Sequence, residues 1–376
     1  MLSLYIHIPF CIKKCLYCGF YSTTYSVSDA DQYLSGLQIE AAGNKHDFLK
    51  TVFSTIYFGG GTPTVLHPDQ LTRLIRIIRN EFRTAADAEF TVESNPNTAT
   101  SEKLDLLLEQ GVNRLSLGTQ SFSDAILATL GRIHSAQQAA DAFSRARRAG
   151  FNNIGVDLIY GIPGQTMQLW EESLDTVMGL KPEHVSAYSL SLDEGSQFYC
   201  MAESRKLALP DDEIVAQMYE RAVAKLRGAG YDQYELSNFS LPGFDCRHNM
   251  NYWERGEYLG LGPGAWSFIS GRRYANIADN REYSHRLSEG WKAVDIEEIV
   301  TPESAARETL LLGLRTTKGL DLDRFERDFG RDHRLQIELN AGPLRDAGLL
   351  RAAGGRLWLT ERGTLLSDEV LKRLSL

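Results

Sequence analysis

Three of the five cysteines lie within eight positions near the start of the sequence. Cys11, Cys15 and Cys18 are spaced C-x3-C-x2-C within "HIPFCIKKCLYCGFYS" (7–22). A structural zinc site commonly closes its tetrahedron with four ligands, whereas three thiolates leave one metal position open. Thiolates suit iron–sulfur clusters, and a cubane held by three cysteines leaves a fourth iron free for a small molecule. The spacing favours such a cluster; a zinc site completed by His7, or buried cysteines without a metal, are the alternatives.

Composition and charge limit the class of protein. The 376 residues are 43% hydrophobic and 24% charged, which predicts a folded protein with one large unit and a smaller one. The net charge of −9 argues against nucleic acid as a partner over the whole surface. No apolar run approaches the ~20 residues of a membrane span, and "MLSLYIHIPFC" does not resemble a signal peptide. We expect a cytoplasmic protein, in which clustered cysteines are metal ligands or catalytic groups rather than disulfides.

Strand-like and helix-like segments alternate along the first half of the sequence. This alternation predicts an α/β fold with a parallel sheet and right-handed crossovers. Periodicity alone leaves open whether the sheet is an open barrel or doubly wound. The predicted strands are 3–8, 54–58, 88–94, 113–118, 153–160 and 184–190, and the predicted helices are 67–82, 100–111, 135–150 and 166–180.

Polar or glycine-rich clusters occur at or near the carboxyl ends of these strands, where α/β folds bind their ligands. The cysteines follow the first predicted strand. The other clusters are "GGGTPT" (59–64), "ESNP" (93–96), "GTQSF" (118–122) and "DLIYGIPGQT" (157–166). We therefore expect all five clusters to meet at one edge of the sheet.

The cysteine motif after a first strand and before a GGGTP turn resembles the radical S-adenosylmethionine (radical SAM) superfamily. The resemblance implies a partial (β/α)6 barrel whose [4Fe-4S] cluster is held by Cys11, Cys15 and Cys18. The unique iron of that cluster would bind the amino and carboxylate groups of SAM, and one electron would release a 5′-deoxyadenosyl radical. Glycines in "GGGTP" suit this role, because they allow close backbone approach to a polar ligand.

Within the superfamily the sequence is similar to the coproporphyrinogen III dehydrogenase-like branch over nearly its whole length. The matching segments are "LYIHIPFC" (4–11), "YFGGGTPT" (57–64), "RLSLGTQSF" (114–122), "GRIHS" (131–135) and "DLIYGIPGQT" (157–166). The resemblance implies a SAM site lined by Tyr5, Tyr17, Gly60, Gly61, Thr62, Glu93, Gln120, Arg132 and Asp157. Their chemistry is suitable, since carboxylates accept hydrogen bonds from amino or ribose groups and an arginine pairs with a carboxylate.

Three features depart from the dehydrogenase itself. Phe20 stands where that enzyme has a fourth cysteine, and the first strand begins without a long N-terminal extension. The segment "CRHNMNYW" (246–253) resembles the H-N-x-x-Y-W motif of a sister group, the haem chaperones. The resemblance therefore implies a haem chaperone that binds a [4Fe-4S] cluster, SAM and haem.

His248 is the candidate axial ligand of the haem iron, because imidazole is a common haem ligand. Tyr252 and Trp253 would supply flat apolar walls for the porphyrin. Cys246 is an alternative iron ligand, although C-x-H is not the C-x-x-C-H of covalent haem attachment.

The resemblance also implies partners and leaves two other functions open. Expected partners are haem, haem-accepting proteins such as membrane respiratory enzymes, and an electron donor such as flavodoxin or ferredoxin; a homodimer and peripheral contact with a membrane are compatible with these roles. The main alternative is the oxygen-independent dehydrogenase, which converts coproporphyrinogen propionates to vinyl groups by radical chemistry. A weaker alternative is a radical SAM enzyme that opens haem or methylates another substrate.

The last part of the sequence has a different pattern. Residues 300–330 and 333–350 predict helices, and 349–363 predict a hairpin that turns at Gly354 and Gly355. We predict a barrel at 1–235, a connecting segment with the haem motif and a glycine-rich stretch at 236–299, and an α+β winged-helix-like domain at 300–376. Because acidic residues are interleaved with its arginines, the last domain is expected to cover substrate or bind a partner protein rather than DNA.

Overall fold

A computed structural model describes residues 1–374, in which seventeen strands and fifteen α-helices are present. The strands are β1 Leu2–Ile8, β2 Phe10–Cys11, β3 Thr23–Thr24, β4 Val52–Gly60, β5 Arg83–Ser94, β6 Arg114–Gln120, β7 Ile154–Tyr160, β8 His184–Ser189, β9 Asp232–Gln233, β10 Asn238–Ser240, β11 Glu257–Leu261, β12 Trp266–Ile269, β13 Arg272–Asn276, β14 Val294–Ile299, β15 Leu320–Asp321, β16 Leu350–Ala353 and β17 Arg356–Leu359. The α-helices are α1 Val27–Asn44, α2 Pro68–Glu81, α3 Ser101–Glu109, α4 Asp124–Thr129, α5 Ala136–Ala149, α6 Met167–Leu180, α7 Gln197–Glu203, α8 Asp212–Gly228, α9 Arg247–Trp253, α10 Asn280–Ser288, α11 Pro302–Gly313, α12 Leu322–Phe329, α13 Arg331–Asp346, α14 Glu361–Leu365 and α15 Ser367–Leu374. Short 3₁₀ helices occupy Lys45–Phe48 and Pro63–Val65.

The main sheet has twelve strands in the order β14-β13-β12-β11-β1-β4-β5-β6-β7-β8-β10-β9. The six strands predicted from the sequence are β1 and β4 to β8, and each is parallel to its neighbour. Their spatial order follows their sequence order, whereas a doubly wound sheet reverses its order at a switch point. Same-handed crossovers between sequential strands place the helices on one face. The fold is therefore a partial barrel, and the predicted α/β fold class is confirmed.

The barrel is open because its first and last parallel strands do not pair with each other. β1 instead pairs in parallel with β11, and β8 pairs antiparallel with β10. Strands β11 to β14 thus extend the same sheet beyond the barrel. The sequence division at 235 and 299 remains a prediction.

Local sequence signals explain where the barrel helices begin and end. Helix α5 starts after Ser135, whose hydroxyl accepts the Gln138 N–H, while the Gln138 side chain accepts the Ser135 N–H. It ends at Gly150, where φ is 115°, a conformation that favours glycine. These boundaries agree with the helix predicted at 135–150, and apolar residues such as Phe143 pack against the sheet.

A buried carboxylate connects α1 to the segment that follows β11. Glu40 accepts hydrogen bonds from the Gly262 N–H at 2.9 Å and the Tyr283 hydroxyl at 2.6 Å, and also from the Asn276 amide. Burial raises the pKa of Glu40 to about 7. Because the folded pKa lies above the unfolded value, the protonated form stabilises the fold at low pH, and this contribution is lost as pH rises towards 7.

The free energy of unfolding of the wild type should fall between pH 5 and pH 8. We expect Glu40→Gln to make this fall smaller. The pKa shift corresponds to about 3 kcal/mol at most. Thermal unfolding of the wild type and the variant at both pH values measures the effect, with exposed Glu109→Gln as the control. An equal pH dependence of wild type and Glu40→Gln would contradict this assignment.

The C-terminal part has its own apolar cluster, formed by residues such as Leu310, Phe325 and Leu357. Helices α11, α12 and α13 and the β16–β17 hairpin correspond to the predicted elements. The hairpin turns at Gly354 and Gly355, which both have positive φ. A third strand, β15, pairs with β17 and was not predicted, since two residues are too few for a recognisable period. In the described part of the chain, no helix is long and apolar enough to cross a membrane.

Candidate functional site

A cavity of about 400 Å³ opens at the carboxyl ends of the barrel strands. Loops after β1, β4 and β6 meet there with the ends of β5 and β7, as the sequence predicted. All predicted site residues except Tyr5 and His248 line this cavity, namely Cys11, Cys15, Tyr17, Cys18, Gly60, Gly61, Thr62, Glu93, Gln120, Arg132 and Asp157.

The three thiols lie half-buried along one side of the cavity. Arg132 Nη1 donates to Cys15 Sγ at 3.4 Å, and Thr62 Oγ1 lies 3.7 Å from Cys11 Sγ. Burial raises the pKa of the Cys11 and Cys18 thiols, so metal binding must displace their protons. The guanidinium of Arg132 lies where a metal-bound thiolate of Cys15 would carry negative charge.

The thiol arrangement fits a cluster better than a single zinc ion. Within residues 1–374, no three metal-binding side chains converge closely enough to hold one ion. A cubane has no such requirement, because each of its thiolates binds a different iron. His7 is also not placed as a fourth zinc ligand: its Nδ1 lies 3.0 Å from the Tyr5 hydroxyl and its Nε2 lies 2.9 Å from the Tyr21 carbonyl oxygen.

The glycine turn after β4 packs directly on the chain that leads to the cysteines. Gly61 donates its N–H to the Ile8 carbonyl at 2.8 Å, and Thr62 donates to the Phe10 carbonyl at 2.7 Å. A Cβ atom at Gly61 would lie only 2.5 Å from the Phe10 carbonyl oxygen. Gly60 has a φ of 105°, and a Cβ there would lie 2.5 Å from the His7 ring. Both positions therefore require glycine for this close approach.

Two half-buried carboxylates face the cavity. The Tyr57 hydroxyl donates to Glu93 Oε1 at 2.7 Å, and Ser116 Oγ donates to Asp157 at 3.0 Å. Burial raises the pKa of Glu93 to about 7 and also raises that of Asp157. These oxygens can accept hydrogen bonds from amino or hydroxyl groups of a polar ligand.

Tyr5 and His248 lie behind the cavity wall. Tyr5 is half-buried and its hydroxyl contacts His7. His248 is 1% exposed, with Thr55 Oγ1 at 2.8 Å from its Nδ1 and the Tyr252 hydroxyl at 2.9 Å from its Nε2. Burial lowers the pKa of His248 to about 3, which keeps the ring neutral. The next residue, Asn249, does line the cavity.

Helix α9, which carries the predicted haem motif, is fixed by Glu89 of β5. The Glu89 carboxylate accepts the N–H groups of Arg247 and His248, each at 3.0 Å. Cys246 Sγ also contacts it at 3.6 Å, and burial raises the pKa of this thiol to about 12. Cys246 therefore acts here as part of the helix cap. Within the motif, Trp253 packs beneath the Arg315 guanidinium, whose carbon lies 5.0 Å from the ring centre.

Sequence reasoning missed several residues that line the deeper part of the cavity. Arg114 and Ser116 precede Gly118 and Gln120 on the same face of β6, and all four line the cavity. The alternate residues Leu115 and Leu117 are fully buried in the core. The others missed are His184, Ser186 and Tyr188, alternate residues of β8, and Asn249. Period-two alternation in "RLSLGTQ" and "HVSAYS" is the signal that identifies the strand residues.

Comparison with known proteins agrees with this architecture. The model of the Radical SAM superfamily matches residues 5–177, and that of the HemN C-terminal domain matches residues 300–366. The solved structure described as "Coproporphyrinogen III oxidase (HemN) from Escherichia coli is a Radical SAM enzyme" superposes with a TM-score of 0.87 and 27% identity, over 100% of this chain and 90% of that one. The fold is thus that of a radical SAM protein.

Curated relatives narrow the class further. "Heme chaperone HemW" of Bacillus subtilis (strain 168) is 38% identical over 98% of both chains. "Heme chaperone HemW" of Lactococcus lactis subsp. lactis (strain IL1403) is 36% identical over 100% of this chain and 97% of the relative. The chain belongs to the HemW family of the radical SAM superfamily.

Proposed function

We propose that this protein is a haem chaperone that binds one haem and transfers it to haem-accepting proteins. The observation that carries the proposal is the position of helix α9. Asn249 of its H-N-x-x-Y-W segment lines the cavity, and the ring of buried His248 packs 4.9 Å from that of Tyr57, which also lines it. Family membership supports the same function. The relatives named heme chaperones match this chain over nearly the full length of both proteins.

The cavity residues fit the cofactors that the superfamily implies. Cys11, Cys15 and Cys18 would hold a [4Fe-4S] cluster, which supplies one electron to SAM when both are bound. Arg132 balances thiolate charge near Cys15. The carboxylates of Glu93 and Asp157 would orient the polar groups of SAM, and the glycine turn would allow SAM to approach the backbone closely. In a chaperone these groups would support the structure, dimer formation or haem transfer.

Haem ligation by His248 requires a local rearrangement. Both ring nitrogens have hydrogen-bond partners, so Nε2 must lose Tyr252 or Nδ1 must lose Thr55 before either can bind iron. The ring is neutral, which is the state that a metal ligand requires. Helix α9 has only seven residues and depends on Glu89 at its start, so movement of its far end is the change that would free Nε2.

Titration of haem into anaerobically reconstituted protein tests the proposal. We expect the Soret band to saturate at one haem per chain. His248→Ala should weaken binding by about tenfold or more, because losing a metal ligand costs at least as much as losing a residue that only orients a ligand. The exposed His46→Ala variant is the matched control. Non-stoichiometric binding that His248→Ala leaves unchanged would contradict the proposal.

The alternative function is oxidative decarboxylation of coproporphyrinogen III. Its support is the close structural match to the E. coli enzyme named above. Against it, Phe20 occupies the position of the fourth cysteine, and its side chain is exposed at the cavity mouth. Product analysis after incubation with coproporphyrinogen, SAM and reductant separates the two functions. A chaperone should give no vinyl product while still binding haem.

Acceptors and location follow from the same proposal. Membrane respiratory enzymes are the acceptors we favour, reached by a cytoplasmic protein that contacts the membrane peripherally. Flavodoxin or ferredoxin would supply electrons, and a homodimer is the assembly that we expect to carry haem. Co-purification of haem-loaded protein with membranes, compared with the haem-free form, tests the location.

A further inference from the structure

The deep end of the cavity contains a small polar niche above Gly155 of β7. A Cβ atom at Gly155 would lie 3.4 Å from His184 Nδ1 and 3.5 Å from both Arg114 Nη2 and Ser116 Oγ. These three atoms therefore lie together over the bare Cα of Gly155, and Arg114, Ser116 and His184 all line the cavity. We refer to this place as the Gly155 niche.

Two of the side chains around the niche each have a nitrogen without a hydrogen-bond partner in the described part of the chain. Arg114 is 2% exposed and His184 is 1% exposed. In the described residues, Arg114 Nε and His184 Nδ1 have no hydrogen-bond partner. Buried polar atoms are nearly always satisfied, and each exception needs an explanation such as a ligand or an ordered water.

Hydrogen-bond accounting assigns the proton on His184. The Tyr234 hydroxyl oxygen lies 2.7 Å from His184 Nε2 and accepts the Cys246 N–H at 3.3 Å. All these groups are satisfied if the hydroxyl donates to Nε2, which leaves the proton of the neutral ring on Nδ1. Burial, and secondarily Arg114, lower the pKa of His184 well below its usual value. The niche thus receives an N–H donor from His184.

No carboxylate of the described residues contacts the Arg114 guanidinium, although Glu89 and Asp157 lie near enough to interact with its charge. Its guanidinium takes part in none of the salt bridges of residues 1–374. Glu89 is occupied by the start of α9, and Asp157 accepts the hydroxyl of Ser116. A buried cation is costly unless an anion or several acceptors compensate it. The niche therefore combines a cation and a neutral N–H donor at the lining of the cavity.

We propose that the Gly155 niche binds the carboxylate group of a ligand that enters the barrel cavity. One oxygen would accept from Arg114 and His184, and such charge-assisted bonds are the strong and specific ones. The carboxylate could come from a porphyrin propionate or from a free small acid. This site is separate from the cysteines and from His248, so it does not depend on the proposed chaperone function.

Gly155→Ala is the sharpest test, because its methyl group would occupy the niche without removing a polar group. The nearest atoms would remain at ordinary contact distance, so the strand should keep its fold. Gly179→Ala in α6 is the matched control, since a Cβ there meets nothing within 4 Å. Arg114→Gln serves as a second variant, and circular dichroism confirms that each protein is folded.

Two probes distinguish the sources of the carboxylate. We expect wild type to bind ferric haem about tenfold or more tightly than haem dimethyl ester, and Gly155→Ala and Arg114→Gln to lose this preference. That result assigns the niche to a propionate. A different result would assign the niche to a free carboxylate. In that case wild type binds haem and its dimethyl ester equally, but sodium acetate stabilises wild type against heat more than sodium chloride does. Gly155→Ala and Arg114→Gln would lose this stabilisation.

Absence of both effects would overturn the proposal and leave an ordered water as the occupant. The acetate arm still tests the niche if haem fails to bind at all. Conversely, stoichiometric haem binding without any niche effect would overturn only this inference and leave the chaperone proposal in place.

Discussion

Cys11→Ala should abolish the broad iron–sulfur absorption of the anaerobically reconstituted protein. In this variant, one iron of a cubane held by three thiolates would lose its protein ligand. The neighbouring hydroxyl of Thr62 is a poor replacement. We expect less than a tenth of the wild-type iron to remain. Absorption spectroscopy and iron analysis of the reconstituted variant measure the effect.

The matched control for this experiment is Cys200→Ala. Cys200 is exposed on α7 and does not line the cavity, so its loss should leave the absorption unchanged. Retention of the full spectrum by Cys11→Ala would show that the three-cysteine motif is not the cluster site.

Gly61→Ala should both destabilise the barrel and prevent SAM binding. The added Cβ would lie within 3 Å of backbone atoms of Phe10 and Ile8, which cannot rotate away as side-chain ends do. Overpacking of this kind costs about 1–3 kcal/mol. It would also separate the glycine turn from the chain that carries the cysteines. Thermal unfolding and calorimetric titration with SAM measure the two effects.

Gly59→Ala and Gly179→Ala provide a graded control series. A Cβ at Gly59 would meet the side chains of Tyr57 and Glu93, which have some freedom to move, and one at Gly179 would meet nothing within 4 Å. We expect the loss to decrease in the order Gly61, Gly59, Gly179. Equal behaviour of the three variants would show that close packing at Gly61 is not required.

The barrel was predictable because its strands and helices are strongly patterned. Each predicted strand overlaps an observed one, and the predicted helix at 166–180 coincides with α6, which begins after the capping Thr166. Polar clusters at strand ends located the cavity, because parallel strands share the same direction. The choice between a barrel and a doubly wound sheet depends on the spatial order of the strands, and only the structure supplies that order.

The interior polar residues were less predictable from the same sequence. Arg114 and His184 lie at the amino ends of their strands. The rule that α/β folds bind ligands at the carboxyl ends of strands therefore does not identify them. His248 was expected beside a ligand, yet it contacts Thr55, which lies 193 positions away in sequence. Such long-range contacts are not encoded in any local pattern. Whether His248 binds haem remains a prediction.

The pairing of β1 with β11 bears on how the chain is synthesised and assembled. β1 lies between β4 and β11, and the cysteine loop follows it directly. Its second neighbour, Glu257–Leu261, lies about 255 positions later in the sequence and is therefore translated well after β1. Contacts between such distant segments form slowly and leave edges exposed meanwhile. β1 and the cysteine loop that follows it thus acquire their final surroundings late, and we expect metal to enter a site that is completed only after β11 has been made.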